Sequence, residues 1–139
     1  MAWNKIKSEA RYFGEQDNIQ LRSLSWSSIG YFQQQIGKAS NLQKIIAAKL
    51  ADRQPLRGLS LAGGDMTGEY RFLKNAGVTS IDAFDISAGQ RDKFFNRMGD
   101  SPDIEVNYFI EDVNAISLKE NHYDLVYVQQ AYHHFEAIE

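Results

Sequence analysis

The sequence predicts an α/β protein with a mostly parallel β-sheet. From Leu56 onward, four short apolar runs have the composition and length of β-strands. Helical patterns separate the first run from the second and the second from the third. Strands joined through helices run parallel, and the helices cover the faces of the sheet, so this order predicts a three-layer sandwich.

Size and composition favour one globular domain. The chain has 139 residues, of which 43% are hydrophobic and 24% are charged, and its net charge is −3. This charge gives no attraction to nucleic acid or anionic lipid, and no apolar run has the length of a membrane span. We therefore expect neither nucleic acid nor a membrane as a partner.

The absence of cysteine and the sequence of the N-terminus indicate the cellular compartment. The chain has no cysteine, which excludes disulfides and thiolate metal sites and fits a reducing environment. The first residues lack the apolar core of a secretory leader. These two features predict a cytoplasmic protein.

Two segments differ in pattern. Residues 1–39 are polar with scattered aromatic residues, and we expect short helices or a stretch that wraps the domain. Trp26 and Tyr31 in this segment could cover a ligand or simply pack against the domain. Residues 40–139 form the domain, which begins with a helix that Ser40 caps and that ends before Pro55.

Strand and helix patterns then alternate along the domain. Strands are expected at residues 56–62, 78–86, 104–110 and 123–130. A helix at residues 68–76 should end at Gly77, and a second helix should begin after Ser87, which forms a capping-box pattern with Gln90. Residues 111–122 are too polar and irregular for a full helix.

The stretch GLSLAGGDMTGEY combines a strand, a turn of small residues and a helix start. Small side chains at residues 62–65 let backbone N–H groups approach a ligand at the carboxyl end of a strand. Asp85 stands at the end of the next strand, roughly twenty residues on, where an acid can accept from both ribose hydroxyls. The small-residue turn and Asp85 together predict a nucleotide-like ligand. A tight connection would also explain the glycines, and a helix cap would also explain Asp85.

The spacing of the glycines limits which ligand fits. The string A-G-G-D-M-T-G does not match the dinucleotide fingerprint G-x-G-x-x-G. The chain also lacks the phosphate-binding pattern G-x-x-x-x-G-K-[ST]. A smaller ligand without phosphates is therefore favoured.

Four stretches together resemble the Rossmann-like S-adenosylmethionine-dependent methyltransferases. LSLAGGDMTGEYRFL looks like the family's glycine-rich first motif, and IDAFDIS looks like the second, whose acid binds the ribose. EDVNAI is similar to the third motif, and YDLVYVQQAYHHFEAIE strongly resembles the fourth strand and its exit. The resemblance runs from Leu56 to the last residue and implies the cofactor S-adenosylmethionine.

The resemblance also implies roles for single residues, with no catalytic residue assigned. The methionine part of the cofactor would be lined by Ala62, Gly63, Gly64 and Asp65. The ribose and adenine would be held by Asp85, Ile86, Asp112 and Val113, and Gln129 would complete the cofactor site. The acceptor side would be formed by Gln130, His133 and His134.

The two histidines have further interpretations. Adjacent helix residues do not share a face, so His133 and His134 do not form a metal pair, and we expect no metal. Either histidine could act as a general base, or could make a structural hydrogen bond at the start of a helix.

The chain departs from the family pattern at several positions. Ser60 stands where the family usually has an acid that anchors the cofactor's amino group, and Ala62 and Met66 stand where it has glycines. The pattern ends after a fourth strand, whereas the family sheet has seven, so the predicted fold is incomplete. The uncovered edge of the fourth strand favours a truncated family member or a homo-oligomer formed through that edge.

Three functions follow from these patterns. The first is methyl transfer from S-adenosylmethionine to a small-molecule or saccharide-like acceptor. The second is a truncated module that binds the cofactor or assembles with a partner without turnover. The third is another nucleotide-using enzyme such as a reductase, which the glycine spacing disfavours.

Overall fold

The computed structural model describes residues 7–8, 10–11, 42–99, 102–129, 131 and 134–136. Residues 7, 8, 10 and 11 are helical. The predictions for the rest of residues 1–39, including Trp26 and Tyr31, and for the cap at Ser40 lie outside the described residues. Among the helices that are described, none has the length and apolar character needed to cross a membrane.

Helices and strands alternate as the sequence predicts. The elements are α1 (Leu42–Lys49), a 3-10 turn (Ala51–Arg53), β1 (Leu56–Leu61), α2 (Glu69–Asn75), β2 (Val78–Asp85), α3 (Ala88–Met98), β3 (Glu105–Ile110) and β4 (Leu125–Tyr127). The connection from β3 to β4 contains turns and no helix, in agreement with its polar sequence.

The four described strands form one parallel sheet in the order β3-β2-β1-β4. The chain moves outward from β1 to β3 and then returns to place β4 on the other side of β1. This sheet with its flanking helices confirms the predicted Rossmann-like α/β fold, incomplete relative to a seven-stranded sheet.

One hydrophobic core joins the sheet to α2 and α3. Its buried members come from β1, the turn after β1, α2, β2 and α3: Leu56, Met66, Tyr70, Leu73, Val78, Ile81, Ala83 and Phe94. Burying a large apolar side chain of this kind contributes roughly 1.5–3 kcal/mol relative to leaving it exposed. This core fixes the glycine-rich turn after β1, because Met66 of that turn is one of its members.

Local signals place the boundaries of the two crossover helices. Gly77, with a φ of 91°, follows α2 in a left-handed conformation that suits glycine. The Ser87 side-chain oxygen accepts a hydrogen bond of 3.3 Å from the backbone nitrogen of Gln90, which confirms the predicted cap of α3. Phe94 is buried, and Phe95 and Met98 pack against the core, as their spacing predicts.

Two strands differ from their predicted form. Within the described residues, β4 contains only Leu125–Tyr127, which pair with Gly58–Ser60 of β1. β3 begins at Glu105 and not at residue 104, and its last residue, Ile110, is 37% exposed because β3 lies at the edge of the sheet.

Candidate functional site

The carboxyl ends of β1 and β4 form the point where the strand order reverses. Residues 62–68, which we name the glycine loop, leave β1 at this point and lead into α2. In open parallel sheets, crevices for ligands form beyond the strands at such a position. The structure therefore places the predicted ligand-binding turn at the switch point of the sheet.

The backbone of the glycine loop is left-handed at three positions. Ala62 and Met66 each have a φ of 51°, and Gly64 has a φ of 58°. Glycine adopts this conformation readily, and residues with a Cβ do so at a cost. The loop thus keeps a glycine-type backbone at the two positions where this chain departs from the glycines of the family pattern.

Gly63 lies close to a side chain of β1, and a Cβ at this position would displace the Ser60 hydroxyl. A Cβ atom on Gly63 would lie 2.5 Å from the Ser60 hydroxyl oxygen and 3.6 Å from Cγ of Glu69. Ser60 is fully buried, and its hydroxyl has no hydrogen-bond partner in the part of the chain that the structure describes. The glycine at residue 63 therefore lets the loop lie directly over the end of β1.

Asp85 at the end of β2 is joined to the glycine loop. Its two carboxylate oxygens accept hydrogen bonds of 2.9 Å from the backbone nitrogens of Gly64 and Ser87. Burial raises the pKa of Asp85, and these hydrogen bonds together with the positive potential of His134 oppose the rise. The structure brings together the two features that the sequence singled out, and the role of Asp85 as a ribose ligand stays a prediction.

The Asp65 side chain is engaged with its own loop and with α3. Its carboxylate accepts from the backbone nitrogen of Thr67 at 3.0 Å and from the Thr67 hydroxyl. It also forms an ion pair of 2.9 Å with Arg97. Asp65 therefore ties the loop to α3, and its predicted contact with the methionine part of the cofactor is untested.

Tyr108 of β3 supports the loop from the opposite direction. Its hydroxyl donates a hydrogen bond to the carbonyl oxygen of Gly64. Burial raises the pKa of Tyr108 well above its ordinary value, so the hydroxyl stays protonated and remains a donor. Sequence reasoning assigned Tyr108 only to a buried strand face.

The predicted third and fourth motifs meet at Asn114. The Asn114 amide nitrogen donates to the carboxylate of Asp112 at 3.1 Å and to the carbonyl oxygen of His134 at 3.0 Å. The Asn114 side-chain oxygen accepts from the backbone nitrogen of Glu136 at 2.8 Å. Sequence reasoning missed this residue, although its position two residues after Asp112 is the pattern of an Asx turn.

The remaining predicted residues lie around the same edge. Ile86 and Val113 are partly buried and follow β2 and β3, respectively. Gln129 accepts a hydrogen bond of 3.0 Å from the Tyr127 hydroxyl, and its oxygen lies 3.4 Å from where a Cβ on Gly68 would lie. Gln130 and His133 lie outside the described residues. No group of three potential metal ligands occurs among the residues that the structure covers.

Glu69, the first residue of α2, is a buried acid that sequence reasoning did not select. Only 8% of its surface is exposed, and burial raises its pKa from 4.5 to about 7. Bonds to the backbone of Gly68 and Glu69 oppose the rise, and the nearby charges of Asp65 and Asp85 add to it. The site therefore holds two buried carboxyl groups, Asp85 and Glu69, beside the same loop.

Comparisons with known proteins identify the family of the chain. A family model described as a methyltransferase domain matches residues 61–139, which is more than half of the chain. A search among curated proteins gave no significant match. A solved structure from Galdieria sulphuraria, described as a candidate sarcosine dimethylglycine methyltransferase, is 26% identical with a TM-score of 0.46. That match covers 65% of this chain and 36% of the other protein. On the family match, this chain belongs to the methyltransferase domain family.

Proposed function

We propose that the chain binds S-adenosylmethionine at the carboxyl ends of β1, β2 and β4 and transfers its methyl group to a small-molecule or saccharide-like acceptor. Membership of the methyltransferase domain family supports the reaction class. The observation that carries the site is the contact of Asp85 with the backbone of Gly64 in the glycine loop at the switch point.

The residues of the crevice fit an adenosine ligand with an amino-acid end. A Cβ on Gly64 would have no neighbour closer than 3.8 Å, so the loop leaves space on that side. The Asp85 carboxylate accepts from the backbone nitrogens of Gly64, Ser87 and Ile86, and its two oxygens have about four acceptor sites, so one remains for a ribose hydroxyl. Partly buried Ile86 and Val113 would supply apolar surface for the adenine.

The bound cofactor would supply an electrophilic methyl group on a positively charged sulfur. The chain's own contribution is to hold the two reactants in line and to exclude water. A base is needed only for an acceptor that must lose a proton, and the proposal assigns none. His134 is partly buried, and its backbone bonds to Ala131 and Asn114 hold it beside the site, where an acceptor would approach.

Calorimetric titration tests the proposed ligand. We expect S-adenosylhomocysteine, the demethylated product, to bind the protein more tightly than NAD. Tighter binding of NAD would favour a reductase and contradict the proposal. Incubation with methyl-labelled cofactor and candidate acceptors then separates transfer from binding without turnover, because only transfer moves the label to the acceptor.

The edge of β4 supports a second part of the proposal, association with another copy of the chain. Within the described sheet, β4 pairs with β1 only, and Val126 and Val128 are 55% and 37% exposed. An edge with exposed apolar residues favours pairing with a further strand. Light scattering should give the mass of a dimer or larger assembly, and a monomeric mass would contradict this part. A cytoplasmic location also remains part of the proposal.

A further inference from the structure

Glu69, the first residue of α2, lies beside the glycine loop. Its Cγ atom is 3.6 Å from the position that a Cβ on Gly63 would take. Its negative charge raises the pKa of Tyr127 in β4, although burial of that tyrosine is the larger cause. The carboxyl group therefore belongs to the switch-point crevice as well as to the first turn of α2.

Among the described residues, the charged groups that face Glu69 provide no counter-charge. Asp65 from the loop and Asp85 from β2 are both acids. Tyr108 from β3 and Tyr127 from β4 have raised pKa values and stay neutral near pH 7. Within the described part of the chain, no lysine, arginine or histidine forms an ion pair with Glu69. A buried carboxylate is costly unless a cation compensates it.

Ser60 provides an independent sign of a polar ligand at this position. Its fully buried hydroxyl has no hydrogen-bond partner among the described residues and lies 2.5 Å from the same Cβ position on Gly63. Buried polar groups are nearly always hydrogen-bonded, so an orphaned hydroxyl beside a crevice points to a missing partner. The Ser60 hydroxyl oxygen and Cγ of Glu69 thus both lie within 4 Å of one position, the one that a Cβ on Gly63 would take.

We propose that the Glu69 carboxylate and the Ser60 hydroxyl bind the ammonium group at the amino-acid end of the cofactor. An ammonium group has three N–H donors and a positive charge, which matches two acceptors of which one is an anion. The sulfonium carries charge but no N–H, so it would leave the Ser60 hydroxyl unpaired. Glu69 would then supply from α2 the acid that is absent at Ser60. This inference rests on the proposed function.

The proposal predicts that ligand binding releases a proton. Because burial places the pKa of Glu69 at about 7, a large fraction of the group is protonated at pH 6.5 in the ligand-free protein. A bound ammonium favours the carboxylate, so ligand binding at this pH releases a proton from Glu69 to the buffer.

A ligand pair separates the ammonium contact from other effects. S-adenosylhomocysteine carries the ammonium group, whereas 5′-methylthioadenosine keeps the adenosine and thioether and lacks the amino-acid end. In calorimetric titrations, Glu69→Gln should weaken binding of S-adenosylhomocysteine about 10- to 100-fold, the size expected for a buried charge-assisted bond. Binding of 5′-methylthioadenosine should change less than about twofold on the same reasoning. The exposed Glu120→Gln is the matched control and should leave both affinities unchanged.

Each outcome decides between the two proposals. If the wild type binds neither ligand, the proposed function and this inference both fail. If the wild type binds both ligands and Glu69→Gln retains full affinity for S-adenosylhomocysteine, this inference alone is wrong. Equal weakening of both ligands would show that Glu69 only shapes the loop, and would also overturn it.

A proton measurement and a second variant complete the test. At pH 6.5, titrations in two buffers of different ionisation enthalpy should show proton release by the wild type that Glu69→Gln lacks. If Glu69→Gln fails to fold, Ser60→Ala replaces it in the test. Ser60→Ala should weaken the binding of S-adenosylhomocysteine several-fold and leave the binding of 5′-methylthioadenosine unchanged. Unchanged discrimination between the two ligands in Ser60→Ala would contradict the proposal.

Discussion

At the scale of single residues, the glycine loop holds two side chains in a backbone conformation made for glycine. Ala62 and Met66 both have a φ of 51°. Met66 is fully buried in the core, which explains why a large apolar residue is kept at this position despite the strain. Ala62 is only partly buried, so its methyl group offers little packing in return.

Ala62→Gly should therefore stabilise the protein. Glycine removes the left-handed strain, and the greater freedom of the unfolded chain offsets part of the gain, which leaves about 0.5–1 kcal/mol. Denaturant titration of the ligand-free protein measures this change. Ala83→Gly is the control, because Ala83 is a buried residue of β2 and its loss should lower stability. A destabilised Ala62→Gly would show that the loop does not prefer glycine.

Glu69 should make the ligand-free protein less stable as the pH rises. The folded-state pKa of about 7 exceeds the ordinary value of 4.5, so the folded state holds the proton more tightly than the unfolded state. Stability is then lost between about pH 4.5 and 7 and is flat above, with a total on the order of 3 kcal/mol. Glu69→Gln should remove this loss and be the more stable protein at pH 8. Unfolding curves at pH 5, 6.5 and 8 would contradict the assignment if both proteins showed the same pH dependence.

Residue types and spacing predicted the glycine loop and Asp85 of this site. Asp85 follows the glycines at the interval of a nucleotide site, and the structure joins Asp85 to Gly64 by a hydrogen bond. Glu69 gave no such signal, because an acid in the first turn of a helix is ordinary and its burial depends on how α2 packs. The orphaned hydroxyl of Ser60 is likewise a property of the packed state.

At the scale of elements, local signals predicted helix boundaries better than strand lengths. The Ser87 cap and Gly77 act through neighbouring residues, so the sequence contains them in full. β4 was expected over residues 123–130 and forms only over Leu125–Tyr127. Its length depends on the register with β1, which is a contact between distant parts of the chain.

The Asn114 side chain attaches the β3–β4 connection to residues 134–136. Asn114→Ala removes hydrogen bonds to Asp112, His134 and Glu136 and should lower the free energy of unfolding by about 1–2 kcal/mol. Hydrogen exchange should rise most at residues 131 and 134–136. Asn107→Ala, which removes a single bond to Asp82, should cost less than about 1 kcal/mol and leave that exchange unchanged. Equal effects of the two variants would count against the bridging role of Asn114.

At the scale of the whole molecule, the sheet order creates the switch point at which a ligand crevice is expected. Alternating strand and helix patterns predict a parallel sheet, and the order β3-β2-β1-β4 places the reversal beside the glycine loop. Composition and periodicity do not specify this order, because strand pairing is nonlocal. The strand order was therefore not among the predictions. The family match confirms the resemblance to the methyltransferases.

The most direct test of the account is titration of S-adenosylhomocysteine into the wild type and two aspartate variants of β2. Asp85→Asn removes the carboxylate at the crevice, whereas Asp82→Asn changes an acid of the same strand that bonds Asn107 and Tyr123 instead. We expect Asp85→Asn to weaken binding about 10- to 100-fold and Asp82→Asn to leave it within about twofold. Equal affinity of Asp85→Asn and the wild type, or no binding by the folded wild type, would contradict a cofactor site between Asp85 and the glycine loop.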